Sequence, residues 1–423
     1  MSDFCMPEYK IAVEQLQPGV FIRLERRNWF NHPFLFNSFM IKDESQIRLL
    51  VQLGIREVVC VPERSERLPH PPGEQAEPAK VPAKQAEVDP ELERLMRVKQ
   101  ERADRLRKKR ESIARCEERY RESALAVEEF KRGVLATDED VVRSALEFVM
   151  ALSGRFLDDP ESTLHLMNVL GCEEQIYSHE LNVTILAMLL GRDVGLDKQQ
   201  MIILGMAALL HDVGKERLDR KLLKKRGQLT KSEVQLLQKH VELGHEMLSK
   251  LASMPLRSLE AVRQHHEWMD GSGYPRGIKD EALITEARVL GITNLYDNLC
   301  NHPDPEKSLT PYLALSYMFT QRRPQLDNVL LSQFIRCMGI YPPGTVVQLT
   351  NGFIGMVMSV NPENQLCPNI VVYDPDVPRR EALIVDLSEE CDIKVEKSIR
   401  LAHLPEDITE YLSPRTRITY YVD

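Results

Sequence analysis

Cysteine pairs, long apolar runs and an excess of basic charge are all missing from this chain of 423 residues. Its eight cysteines are scattered, with no Cys-x-x-Cys pair. That excludes a disulfide framework and a cysteine zinc site, and it points to a reducing cytoplasm. The longest apolar runs, such as Met201 to Leu210, are about half the length that a membrane-spanning helix needs, so no span is expected. The stretch MSDFCMPEYK has no basic segment followed by an apolar one, and no secretory signal is expected either. A formal net charge of −9 argues against broad binding to nucleic acid or to an anionic membrane. A small anionic ligand would need a local cationic site, and a metal cluster is one.

What is present is a globular composition, 43% hydrophobic and 28% charged, on a chain long enough for two or three domains. Residues 1–62 read as a small α/β module: two strand-like runs flank Gln17-Pro18-Gly19, and a capped helix, a stop at Gly54 and a β-branched strand follow. Residues 63–90 shift to Pro, Ala, Glu, Gln and Lys, the composition of a linker. Residues 91–135 form a long charged helix with Leu106, Ile113, Tyr120 and Val127 at heptad spacing. A companion seam at Ala103, Arg110 and Glu117 is mostly polar, so packing on the same chain and a homodimeric coiled coil both fit. Helical periodicity dominates residues 136–335. Residues 336–423 are β-rich, with Asn351-Gly352 between two β-branched runs as a hairpin signal and PNIVVYDPD as a further strand. The expected fold is therefore mainly α, with an α/β module before the helical domain and strands after it.

Six of the eleven histidines, His179, His211, His240, His245, His265 and His266, fall between positions 179 and 266. His211-Asp212 ends an apolar helical run. Neighbours on a helix diverge by roughly 100°, yet at a helix end both can reach ions lying over that end. An aspartate can bridge two divalent ions, and imidazole with a bridging carboxylate suits Fe, Mn or Zn pairs. Alone, His-Asp reads first as a hydrogen-bonded pair at a helix end. With HHEWMDGSGYPRG downstream it reads as part of a site. His240 and His245 lie roughly 140° apart around a helix and cannot face one site together. His179 by itself would pass for a hydrogen-bonded core histidine.

His179, His211-Asp212-Val-Gly-Lys215, His240-x3-Gly244 and His265-His266-Glu267-x2-Asp270-Gly-Ser-Gly-Tyr274-Pro275-x-Gly277 together resemble an HD-GYP domain over roughly residues 136–335. Leu16-x2-Gly19 and WFNHPF resemble the small domain of unknown function that often precedes it in bacterial proteins. The resemblance implies an all-helical core that holds two or three metals, usually iron or manganese. It implies hydrolysis of cyclic di-GMP to pGpG or GMP, a bacterial signalling activity that affects motility and biofilms. Carried over by position, His179, His211 and Asp212 would hold one metal; Asp212, His240, His265 and His266 would hold the other. Asp212 would be the catalytic bridge. Lys215 would place a point charge on a phosphate, or else be a surface lysine near a helix end. Gly271, Gly273 and Pro275 would shape a loop for ligand or partner, including diguanylate cyclase domains. Tyr274 would stack on a guanine or serve in packing.

Three departures qualify the resemblance. Gln175 stands where a glutamate would complete a third metal site, so two metals are expected. Asn294 stands at a metal-ligand position where the family has aspartate, with Asp297 three residues on, so that metal should bind more weakly. Pro303 and Glu306 replace arginines that would face substrate phosphates. An impaired domain that binds cyclic di-GMP or docks a partner is therefore the competing expectation.

Overall fold

The computed structural model describes residues 7–412 except 25–33, 35, 72–89, 153–155, 171–177, 224, 226, 303, 305, 306, 362, 376, 380, 381, 383, 391, 401 and 402. Gln175, Pro303, Glu306 and most of the Pro-rich linker lie outside the described residues. The chain divides into two compact units, 1–108 with 371–385, and 109–370 with 386–423. The boundary falls within the long helix, which spans 47 residues from Pro90 to Ala136.

The N-terminal unit holds a four-stranded sheet. Strand Glu57–Cys60 pairs antiparallel with both Tyr9–Ala12 and Phe21–Arg23, and the latter pairs with Ser38–Met40. One helix, Glu44–Gln52, starts where the Asp43 carboxylate accepts from the Ser45 and Gln46 amides. It stops at Gly54, whose φ of +72° suits glycine. Ile11, Val20, Ile22, Leu50 and Val58 form the core between sheet and helix.

The second unit is mainly helical, with strands toward its C-terminal end. Its centre is a pair of helices, His179–Asp193 and Lys198–Leu210, buried on every side over Leu181–Gly191 and Ile203–Leu210. An apolar surface all round a helix is the pattern of an interior element. A capping box between Asp197 and Gln200 starts the second helix directly after the turn at Gly195. So short a turn makes a hairpin, which brings the first residue of one helix beside the last turn of the other. A second hairpin, His240–Leu248 with Leu256–Gln264, packs against it. Helix Thr285–Cys300 lies along His179–Asp193.

Ile113, Tyr120 and Val127, the part of the heptad seam in this unit, are at most 1% exposed within the single chain. That apolar face is covered within the single chain, as the first of the two packings open to the heptad spacing requires. The hairpin signal at Asn351-Gly352 joins Val346–Leu349 to Ile354–Ser359, which pair antiparallel. Val395–Ile399, which carries no comparable sequence signal, pairs along the other edge of Val346–Leu349. No described helix is long and apolar enough to cross a membrane.

Candidate metal centre

The two hairpins set four helix ends around one point. His179 opens the first central helix and His211 caps the second, with ring centroids 5.3 Å apart. His240 opens the third helix and His265 caps the fourth, with Nε2 atoms 3.3 Å apart. Asp212 lies between the pairs. Its Oδ2 is 3.4 Å from His211 Nε2 and 3.6 Å from His179 Nε2, while its Oδ1 is 3.2 Å from His240 Nε2 and 4.0 Å from His265 Nε2. Two groups result, His179–His211–Asp212 and Asp212–His240–His265–His266, each with ligand atoms within 4.8 Å of one another.

The backbone orients three of these rings in the same way. The last carbonyls of a helix have no partner within it. His211 Nδ1 takes Ala208 O at 2.8 Å, His240 Nδ1 takes Leu237 O at 2.7 Å, and His265 Nδ1 takes Val262 O at 2.6 Å. A carbonyl only accepts, so each Nδ1 holds the proton and each Nε2 presents a lone pair to the centre. His179 is held by a carboxylate instead: its Nδ1 donates to Asp297 Oδ2 at 2.6 Å. Asn182 and Asn301 amides donate to Asp297 Oδ1 at 3.0 and 2.9 Å.

These surroundings set the charges. Burial pushes the Asp212 carboxyl up, but the Lys215 ammonium at 2.5 Å and His211 outweigh it and hold the group well below the usual carboxylate range. Burial, then their histidine neighbours, pushes His265 and His266 well below the ordinary imidazole range, and burial also lowers His240. Burial pushes His179 down, yet Asp297 reverses the shift and leaves the ring more basic than usual. A second carbonyl or carboxylate partner of that kind raises a histidine's value as a metal ligand.

His179 Nε2, His211 Nε2 and Asp212 Oδ1 are buried without a hydrogen-bond partner. Asp212 Oδ1 lies near His240 Nε2, but that nitrogen has no proton to give. Buried polar atoms are rarely left unsatisfied. A dication in each group would satisfy them, one at His179 Nε2 and His211 Nε2 and the other at Asp212 Oδ1, and nitrogen lone pairs around a shared carboxylate form a donor set that suits Fe, Mn or Zn. The residues fit divalent metal.

The neighbouring loop is built on backbone contacts. Glu267 is buried and accepts from the Arg276 and Ile278 amides at 2.7 and 3.1 Å, while the Tyr274 amide donates to His266 O at 3.1 Å. A Cβ on Gly273 would stand 2.4 Å from both Glu267 Cα and His266 O, so only glycine allows this approach. Pro275 follows a cis peptide bond. Tyr274 stacks on His266 at 4.6 Å between ring centroids, which engages one face of the ring.

Other residues sit elsewhere. His245 lies near Ser249 Oγ at 3.5 Å and belongs to neither group. Asn294 is buried on the same helix as Asp297, and its amide oxygen accepts from Asn298 Nδ2 at 2.6 Å. No described contact joins it to the histidines. Two roles escaped sequence reasoning. Asp297 orients His179, a role that only its contact partner reveals. Gly214 lets the turn after Asp212 touch the His240 helix, since a Cβ there would fall 2.0 Å from His240 O. The HDVGK run, with the small Gly244 opposite, was the available signal.

Residues 165–330 match the family described as HD domain, and residues 8–137 match the domain of unknown function DUF3391. A cyclic di-GMP phosphodiesterase of Pseudomonas aeruginosa is 29% identical over 54% of this chain and 55% of its own. The cyclic di-GMP phosphodiesterase response regulator RpfG of Xanthomonas campestris is 34% identical over 36% of this chain and 40% of its own. A 3'3'-cGAMP-specific phosphodiesterase of Vibrio cholerae is 27% identical over 39% and 35%. The chain thus spans about half the length, or less, of these curated relatives. A solved HDG"Y"P protein from Bdellovibrio bacteriovorus has a TM-score of 0.46 at 13% identity, covering 78% of this chain and 98% of that one. Residues 165–330 thus carry an HD-domain match, with a DUF3391 match ahead of it over residues 8–137.

Proposed function

We propose that this protein is a cytoplasmic metal-dependent phosphodiesterase that hydrolyses cyclic di-GMP to pGpG, GMP or both. The observation that carries it is the Asp212 carboxylate, shared by two histidine groups whose Nε2 lone pairs converge on it. Two ions, iron or manganese, would be held by His179, His211 and Asp212, and by Asp212, His240, His265 and His266. When bound, such a pair supplies charge against the phosphodiester oxygens and lowers the pKa of an attacking water.

The chain's own residues do the rest. Carbonyl and carboxylate partners hold the imidazoles in one tautomer, so little reorganisation accompanies loading. Lys215, half-buried and already facing the centre, gives a non-bridging phosphate oxygen a point charge. Tyr274 would stack on a guanine, on a loop that Gly273 and Pro275 shape and Glu267 pins. The same loop is the surface for a diguanylate cyclase domain. Asn294 would serve only as a weak ligand, since a neutral carbonyl oxygen offers less than a carboxylate and Asn298 already donates to it.

The test is turnover by anaerobically purified protein, with metal content measured in the same sample and with cyclic di-GMP and 3'3'-cGAMP as parallel substrates. Release of pGpG or GMP in proportion to bound metal is expected. Tight binding of cyclic di-GMP without turnover would make the protein a binding module. Faster cleavage of 3'3'-cGAMP would move the substrate assignment to the class named for the Vibrio cholerae relative.

A further inference from the structure

A continuous hydrogen-bonded chain leads from the long helix to one edge of the metal centre. The Tyr120 hydroxyl, in the middle of that helix and fully buried, donates to Asn182 Oδ1 at 2.7 Å. It accepts from the Ser178 amide at 3.2 Å. Asn182 Nδ2 donates to Asp297 Oδ1 at 3.0 Å, and Asp297 Oδ2 holds His179 Nδ1 at 2.6 Å. Ser178 is the N-cap of the helix that His179 opens. One hydroxyl therefore grips that helix on both sides of His179, at the residue before it and one turn after it.

The long helix makes a second grip beside the first. Lys131 Nζ lies 2.6 Å from Glu180 Oε1, and both side chains are 14% exposed. Edge-to-face packing of Phe156 at 6.5 Å fixes the Tyr120 ring. None of these groups reaches the other half of the centre. His240 and His265 take their orientation from Leu237 O and Val262 O, which belong to other helices.

We propose, resting on the metal-dependent reading of this site, that Tyr120 is a positioning residue for His179. Through Asn182 and Asp297 it tunes the ion position made by His179, His211 and Asp212, and leaves the position made by Asp212, His240, His265 and His266 unaffected. The long helix thus becomes a control element for half of the centre. Sliding or turning it would change the affinity for one ion without dismantling the other site.

The experiment is Mn²⁺ titration of the full-length metal-free protein by calorimetry, with kcat and KM for cyclic di-GMP measured on the loaded protein. Wild type is expected to bind in two steps, and His179→Ala identifies the step that involves His179. Tyr120→Phe keeps the ring and removes only the hydroxyl. It should weaken that step by about tenfold, the lower range for losing an outer-shell partner, and leave the other step within about twofold. It should lower kcat and leave KM unchanged. Asn182→Ala, one link nearer, should weaken the same step at least as much. Unchanged titration in both variants overturns the proposal, and so does equal weakening of both steps, which marks a general structural role. A wild type that binds no Mn²⁺ overturns this and the metal-dependent reading together. Two-step binding with no hydrolysis of cyclic di-GMP refutes the phosphodiesterase alone; selective weakening in Tyr120→Phe then still supports the positioning role.

Discussion

His240 Nε2 and His265 Nε2 lie 3.3 Å apart, although neither nitrogen carries a proton to share. Each ring gives its proton to a helix carbonyl through Nδ1, and burial keeps both rings neutral. Two lone pairs and the Asp212 Oδ1 atom thus face the same space. A cation relieves that repulsion. Divalent metal should therefore stabilise the fold, by about 2.7 kcal/mol at a concentration one hundred times its Kd. Urea unfolding with Mn²⁺ and with a chelator checks this. Identical midpoints in the two conditions would count against a metal at this place.

Asp212→Ala removes the one carboxylate common to both groups, so metal content should fall sharply at both positions. His245→Ala should retain wild-type metal content, because His245 lies outside both groups. Elemental analysis of the purified variants separates the two. Loss of metal in His245→Ala would contradict the ligand assignment.

Gly214→Ala would place a Cβ 2.0 Å from His240 O and 2.5 Å from the Gly244 amide nitrogen. Both neighbours are backbone, so the His240 helix has to move. We expect a loss of about 1–3 kcal/mol, the usual cost of overpacking, with weaker metal binding at the His240 group. Denaturant unfolding and metal titration report the two effects. Wild-type values in both would mean that this close approach is not what seats His240.

The Lys131–Glu180 pair predicts a pH dependence. Burial pushes the Glu180 carboxyl up, and Lys131 outweighs it, so the folded-state value lies below the usual range. A depressed carboxylate stabilises fully above its unfolded value, about pH 4.3, and the contribution fades as pH falls through the folded value. Lys131→Met strands the carboxylate and should cost about 3 kcal/mol at pH 7. The gap from wild type should narrow in acid, where Glu180 is protonated in both proteins. A gap that stays constant from pH 7 to pH 4 would show that the pair does not act as an ion pair.

Much of this was legible in the residues. Asp43, Gly54 and Asn351-Gly352 announced their caps and turn because local chemistry alone determines such features. The histidines and Asp212 stood out because residue type and spacing carry ligand chemistry. Other features depend on partners distant in sequence. The spacing of Ile113, Tyr120 and Val127 shows that one helix face is covered, but not by what. Asp297 is a bystander until His179 is seen against it. The carbonyls of Ala208, Leu237 and Val262 have no sequence signature, since any residue supplies one. Val395–Ile399 pairs with a strand more than forty positions away, which no local pattern encodes.

The claim at the centre is that Asp212 is shared between two ions. Anomalous diffraction from crystals of the Mn²⁺-loaded protein tests it most directly. Two peaks are predicted, one among His179, His211 and Asp212 and one among Asp212, His240, His265 and His266, with the Asp212 carboxylate between them. A single peak, or a pair of which only one touches Asp212, would contradict the account.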